Sequence, residues 1–314
     1  MRNLTEANVT DAVLAAHAGC SEARLKQVLE SLVLHLHAFL REVEPTPEEW
    51  LAGIRFLTET GHMCDENRQE FILLSDTLGA TILIDAINNR RVPGATESSV
   101  LGPFYMDGAP ERPPGTDLGG SDGPHVRVAG RVRDVGGKPL AGALLDVWQS
   151  SATGLYHMQD EAAPPYDLCG RLRTDTEGRF SFTTRRPASY SIPTDGPVGR
   201  LLRRVGRHPY RPAHIHFIVS AANYTPVVTE LFTEGDQYLD SDAVFGVKAS
   251  LIVPLKEDGT EADGTPCYRL EYDFVLEPER APAPRRTPSS VGPLEPAIHL
   301  RPSAPARLEK DNAG

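Results

Sequence analysis

Cysteine is scarce in this chain and has no pattern. The four residues, Cys20, Cys64, Cys169 and Cys267, show no paired spacing. That excludes a CxxC zinc motif and reads as reduced thiols in a cytoplasmic protein. Positive charge is also short. Lys and Arg number 32 against 43 Asp and Glu, a net charge of −11, so neither nucleic acid nor an anionic membrane surface is expected as a main partner. No basic segment followed by an apolar core opens the chain, so no signal peptide is read. No apolar run is long enough to span a membrane. The longest, at 78–87, is short and has Asp76 and Asp85 close by. No internal repeat is found.

What is present divides by composition. The 314 residues, 40% apolar, suffice for a large domain or for a catalytic domain with a smaller companion. Up to about residue 90 the pattern is helical. Leu25, Val28, Leu29, Leu32, Leu36, Phe39, Leu40 and Val43 recur at three and four, one apolar stripe on one helix. Thr46-Pro47-Glu48-Glu49 supplies an N-cap, a proline at the first helical position and acidic first-turn residues, and predicts a second helix over 48–62. A third helix is expected over 66–89. Its apolar residues lie on more than one side, which calls for burial in a core or a subunit interface.

After Asn89, Gly and Pro become frequent and strands begin. The pattern predicts strands around 126–132, 144–148, 179–184, 214–220, 227–232, 248–253 and 268–276, with Asp175-Thr176-Glu177-Gly178 as a hairpin turn. Many short strands between turn signals argue an antiparallel β-sandwich. The expected organisation is α+β: a helical domain at 1–95 that pairs two subunits, a sandwich at 96–279 that carries the catalysis, and a Pro-rich tail at 280–314 with seven prolines after Arg280.

His214 and His216 lie two apart on a predicted strand, so both side chains face one way and can close on one metal ion. Two half-buried strand histidines are the plain alternative. His35 and His37 share that spacing in a helical pattern, where it turns them about 200° apart, and they cannot chelate together. Tyr156, Tyr190 and Glu230 are candidate partners for the strand pair. Each tyrosine taken alone reads as a packed ring with a bonded hydroxyl.

Six segments then carry a resemblance. They are Leu101-Gly102-Pro103-Phe104-Tyr105, Asp146-Val147-Trp148-Gln149, Gly154-Leu155-Tyr156, the stretch from Arg173 to Phe180, that from Tyr190 to Pro197, and Arg211-Pro212-Ala213-His214-Ile215-His216. In this order and spacing the chain resembles the intradiol ring-cleaving catechol dioxygenases over roughly residues 5 to 277. FILLSDTLG at 71–79 and YLDSDAVFGVK at 238–248 are most similar to the hydroxyquinol-cleaving branch. The resemblance implies an iron(III) held by Tyr156, Tyr190, His214 and His216 with hydroxide, in an enzyme of aromatic catabolism. Two phenolates suit ferric iron, since a free tyrosine titrates at about 10 and only a strong Lewis acid keeps two deprotonated.

The resemblance further implies that dioxygen opens an ortho-diphenol between its two hydroxyl-bearing carbons. Hydroxyquinol would give 3-hydroxymuconate, the enol of maleylacetate; catechol or chlorocatechol are alternatives. Tyr190 would be the axial ligand that leaves the metal and takes a substrate proton. Arg211 would stabilise developing negative charge. Leu73, Asp76, Val100, Ile192, Pro193, Arg211 and Val244 would line the pocket, with Asp76 accepting a hydrogen bond from the third hydroxyl or else bonding within its own helix. A homodimer through the N-terminal helices, with phospholipid held there, is also implied.

Glu230 departs from the family pattern, where the catechol-cleaving branch has glutamine. Two other readings stay open: a ferrous site of His214, His216 and Glu230, and a non-catalytic β-sandwich binding module. The basic run Arg200, Arg203, Arg204 and Arg207 reads as a solvated loop.

Overall fold

The computed structural model describes residues 2–65, 68–120 and 122–279; the expected Pro-rich tail lies outside them. The chain forms two compact units, Met1–Thr58 and Glu59–Glu279. In the first are α1 (Val9–Ala16), α2 (Ala23–Val43) and most of α3 (Pro47–His62). The predicted cap of α3 is present. The Thr46 hydroxyl accepts the Glu49 N–H at 3.2 Å, and the Glu49 carboxylate accepts the Thr46 N–H at 2.9 Å, a reciprocal capping box.

The second unit opens with α4 (Glu70–Thr77) and α5 (Ala80–Asn88). The single helix expected here is two. The break falls at Gly79, whose φ of 73° lies in the left-handed region, cheap for glycine alone. The expected burial is met in α4, where Leu74, Asp76 and Thr77 are buried, and not in α5, where no residue is.

Among the described residues twelve strands follow: β1 (His125–Asp134), β2 (Leu144–Gln149), β3 (Cys169–Arg173), β4 (Arg179–Arg185), β5 (Tyr190–Ser191), β6 (Tyr210–Arg211), β7 (His214–Ser220), β8 (Val227–Thr233), β9 (Ile252–Val253), β10 (Lys256–Thr260), β11 (Pro266–Glu271) and β12 (Phe274–Leu276), with α6 (Pro197–Arg204) between β5 and β6. One sheet has β1 at its centre, paired antiparallel to β4 and parallel to both β11 and β12. The other runs β3-β2-β7-β8-β9, antiparallel except for a parallel β8–β9 pair. The sheets are therefore mixed, not purely antiparallel as expected.

The predicted strand at 268–276 is interrupted where the Tyr272 carbonyl presses on Gly130; a Cβ there would sit 1.8 Å from that oxygen. Residues 249–251 are a 3₁₀ turn, so only Ile252 and Val253 of the residues expected at 248–253 form a strand.

Between the sheets lies the main core. β1 contributes Val126, Val128 and Val132, β4 Phe180 and Phe182, β2 Leu145 and Val147, and β7 Ile215, Phe217 and Val219. Because strand side chains alternate, the odd residues of β7 fill this core and His214 and His216 face the opposite side. There a second cluster packs Val100, Trp148, Tyr156, Tyr190, Ile192 and Val244.

Candidate metal centre

Three strands set the site by register. On neighbouring strands Trp148 pairs with His216, and His216 with Glu230. Trp148 lies flat on the His216 ring, centroids 4.7 Å apart and planes within 4°. The two-stranded β5–β6 pair sets Tyr190 opposite Arg211. Tyr156 enters from the loop after β2, where Gly154 takes a φ of 83° with Tyr190 packed against it.

Both histidines, Tyr156, Arg211 and Glu230 are at most 2% exposed. The Tyr156 hydroxyl lies 3.0 Å from Nε2 of His216 and 3.5 Å from Nε2 of His214, and these two nitrogens are 3.1 Å apart. Tyr190 meets Tyr156 edge to face at 5.6 Å and lies the same distance from the His214 ring. Phe104 stacks on Tyr156 at 4.5 Å, and Gly102 lies over the edge of His216, where a Cβ would come within 3.1 Å of Cε1. The resembling segment at 101–105 thus walls one side.

Burial pushes the Tyr156 phenol well above its ordinary range and raises Tyr190 too. Burial also depresses both imidazoles, His216 strongly. The pocket holds neutral imidazoles, which are lone-pair donors.

His214 Nδ1 donates to the Pro212 carbonyl at 2.7 Å, so its Nε2 carries a lone pair. His216 Nδ1 is buried without a hydrogen-bond partner, 3.3 Å from Glu230 Oε1 but poorly aligned. A proton on Nδ1 sets two Nε2 lone pairs face to face; a proton on Nε2 turns a lone pair toward a carboxylate. The Tyr156 hydroxyl and one Arg211 N–H each reach one of these nitrogens, at 3.0 and 3.3 Å, while Nδ1 of His216 is unpartnered; a cation held between the Nε2 atoms removes the repulsion of their lone pairs. The residues present fit a metal ion.

Glu230 lies behind this cluster. It accepts Arg211 Nη1 at 2.8 Å and Nη2 at 3.1 Å, and the Ser99 hydroxyl at 2.7 Å. Burial works to raise its carboxyl, and Arg211 overrides this and holds it below the usual range. Among the described residues, His214, His216 and Glu230 form a group of possible ligand atoms within 4.8 Å of one another.

Of the expected pocket residues, Val100, Ile192 and Val244 are buried in the second cluster, with Leu73 packed against it. Asp76 is buried on α4; burial raises its carboxyl against the pull of Thr81 and Arg211. Pro193 is exposed beside Ile192. His37 bonds the Thr10 hydroxyl at 3.0 Å, a packing role.

The basic run at 200–207 is not a loop. Arg200, Arg203 and Arg204 belong to α6, and Arg207 donates 2.9 Å to the Ala243 carbonyl. Sequence reasoning missed Asp242 and Ser99. Asp242 stood in view within the segment at 238–248, but nothing in its spacing tied it to Arg211.

Comparison with known proteins agrees with this geometry. The family described as "Dioxygenase" matches residues 100–278, and that described as "Catechol dioxygenase N terminus" matches residues 22–96. A 6-chlorohydroxyquinol 1,2-dioxygenase of Cupriavidus pinatubonensis is 49% identical over 88% of this chain and 99% of its own. A hydroxyquinol 1,2-dioxygenase of Rhizobium sp. is 45% identical over 86% and 95%. The solved hydroxyquinol 1,2-dioxygenase of Pseudomonas putida superposes with a TM-score of 0.84 at 48% identity, covering 87% of this chain and 99% of that one. Among the described residues no helix is long and apolar enough to cross a membrane. Sequence, fold and buried donor set agree, and the chain belongs to the intradiol ring-cleaving dioxygenases, a family of non-haem iron enzymes.

Proposed function

We propose that this enzyme opens hydroxyquinol between its two adjacent hydroxylated carbons, adding both atoms of dioxygen to give 3-hydroxy-cis,cis-muconate, with iron(III) held by Tyr156, Tyr190, His214 and His216. The observation that carries the ligand set is the convergence of the Tyr156 hydroxyl with both imidazole Nε2 atoms in a fully buried pocket. When bound, ferric iron supplies the charge that keeps two buried phenols deprotonated and draws electron density from the aromatic ring.

The chain's own groups do the rest. The Tyr190 oxygen takes a proton from a substrate hydroxyl. Arg211 faces the ring as a fixed cation and stabilises negative charge as it develops. Trp148 and Phe104 keep water from the ligands. Asp76 accepts a hydrogen bond from the third hydroxyl, which catechol lacks, and the names of the relatives cited above favour the same substrate. A ferrous site with Glu230 as ligand has less support, because Arg211 and Ser99 already engage both of its oxygens.

We also propose a homodimer. α2 exposes Leu25, Val28, Leu32, Leu36 and Phe39 along one stripe, Leu32 at 58%. A second copy, with lipid chains between, is a fitting cover for such a stripe.

The deciding experiment is the visible spectrum of the purified protein, with iron counted on the same sample, before and after anaerobic hydroxyquinol. A tyrosinate-to-iron band at about one iron per chain, shifting with substrate, is the expected result. Iron without colour would overturn the tyrosinate ligands. For the substrate, Asp76→Ala should lower kcat/KM for hydroxyquinol relative to catechol by roughly 10- to 100-fold; an unchanged ratio would remove Asp76 from recognition.

A further inference from the structure

Arg211 carries five N–H groups, and two buried carboxylates divide four of them. Glu230 takes one from each terminal nitrogen, at 2.8 and 3.1 Å. Asp242 takes the Nε–H at 3.1 Å and the second Nη2–H at 3.2 Å. The fifth, on Nη1, points at His214 Nε2 from 3.3 Å.

One carboxylate would neutralise the guanidinium. A second leaves surplus negative charge inside the protein, which is costly unless it does something. Asp242 is 4% exposed, and its oxygens also accept the backbone N–H groups of Val244 at 3.2 Å and Gly246 at 2.9 Å. Every acceptor direction is used, so the carboxylate is anchored to the segment that carries Val244. With Glu230 alone, the Nε–H and one Nη2–H would lack partners and the guanidinium plane could rotate. With Asp242 on the second edge it cannot.

We infer that Asp242 is a positioning residue for ring cleavage: it closes the second edge of Arg211 so that one N–H alone, that on Nη1, is left to face the metal-ligand side of the site, beside His214. This deepens the reading under Proposed function and rests on it. Asp242 acts through Arg211, with one directed donor in place of a freely turning cation.

The test uses the full chain loaded with iron. Asp242→Asn puts an amide donor against groups that all donate. Gly246→Ala disturbs the same guanidinium by another route, since a methyl there lands 2.8 Å from Arg211 Nη2 and 3.0 Å from Glu230 Oε2, with no charge removed. Each variant is made alone and with Arg211→Lys, and iron content, the resting visible band, kcat and KM are measured with both hydroxyquinol and catechol. Both single variants should keep iron and the resting band and lose roughly tenfold or more in kcat with little change in KM. On the Arg211→Lys background each should cost less than about twofold, because the donor they aim is already gone.

Losses that multiply independently of Arg211→Lys would overturn the inference, as would losses seen only in KM or iron content. If Asp242→Asn does not fold, Gly246→Ala decides by the same criteria. A colourless wild type would overturn the ligand reading and this inference with it, whereas a coloured, active wild type with independent losses would overturn the positioning role alone.

Discussion

Asp146 shows how a single buried carboxyl can make this fold sensitive to pH. It lies on β2, 7% exposed, and accepts the Tyr105 hydroxyl at 3.2 Å. Burial pushes its carboxyl up to about 6, against the pull of that hydrogen bond, while an aspartate in an unfolded chain titrates at about 3.9. The folded protein thus holds this proton more tightly. The contribution to stability is complete below about pH 4 and is lost as pH rises through about 6. Asp146→Asn keeps the acceptor and cannot titrate. Urea unfolding should show wild type losing on the order of 1–2 kcal/mol relative to this variant between pH 4 and pH 7; parallel curves would refute the assignment.

At this scale the sequence was partly legible. Strand spacing alone paired His214 with His216. Tyr156 and Tyr190 had no such signal and rested on resemblance, because a loop and a two-residue strand bring them in. Ser99 lies 131 residues from Glu230 and Asp242 lies 31 from Arg211, contacts that no local pattern encodes.

Elements were most legible where a local rule sets both ends. The capping box fixed the start of α3, and hydrophobic period gave α2. The break between α4 and α5 was missed because apolar residues continue through Leu78 while the turn depends on the backbone of Gly79. α6 was missed because its arginines masked its proline start. What holds α6 is a long-range clip. The Glu70 carboxylate, 1% exposed, accepts the Val198 N–H at 3.1 Å near the helix start and Arg68 at 2.8 Å, and Arg68 also binds Asp195 at 2.8 Å. The clip joins α4, which carries Leu73 and Asp76, to the segment after Ile192. Glu70→Ala leaves a buried N–H and half of the Arg68 bonds unmade, and should lower unfolding stability by roughly 2–3 kcal/mol in thermal or urea melts. A loss under about 0.5 kcal/mol, the scatter of ordinary surface changes, would mean the clip holds nothing.

For the whole molecule, composition and strand count were enough for helices followed by a sandwich, and too little for the mixed sheets. Parallel pairing of β1 with β11 and β12 joins residues more than 140 apart in the chain, and alternation within a strand carries no information about its neighbour. The proposed dimer belongs to this scale. Leu32→Asp with Phe39→Asp places charge on the exposed stripe of α2 and should halve the mass seen by light scattering at micromolar concentration, since a buried unpaired charge is not tolerated at such an interface. An unchanged mass would place the interface elsewhere.

The order of the strands also governs when the site comes into being. Tyr156 and Tyr190 leave the ribosome before either histidine, yet nothing fixes His216 until β7 is held between β2 and β8, with Glu230 across from it. The opposite sheet cannot close until residues 266–276 are available to lie along β1. A chain that ends before β7 therefore holds two of the four donor side chains, Tyr156 and Tyr190, and none of their arrangement. The order of the strands thus defers assembly of the donor set to a folded protein.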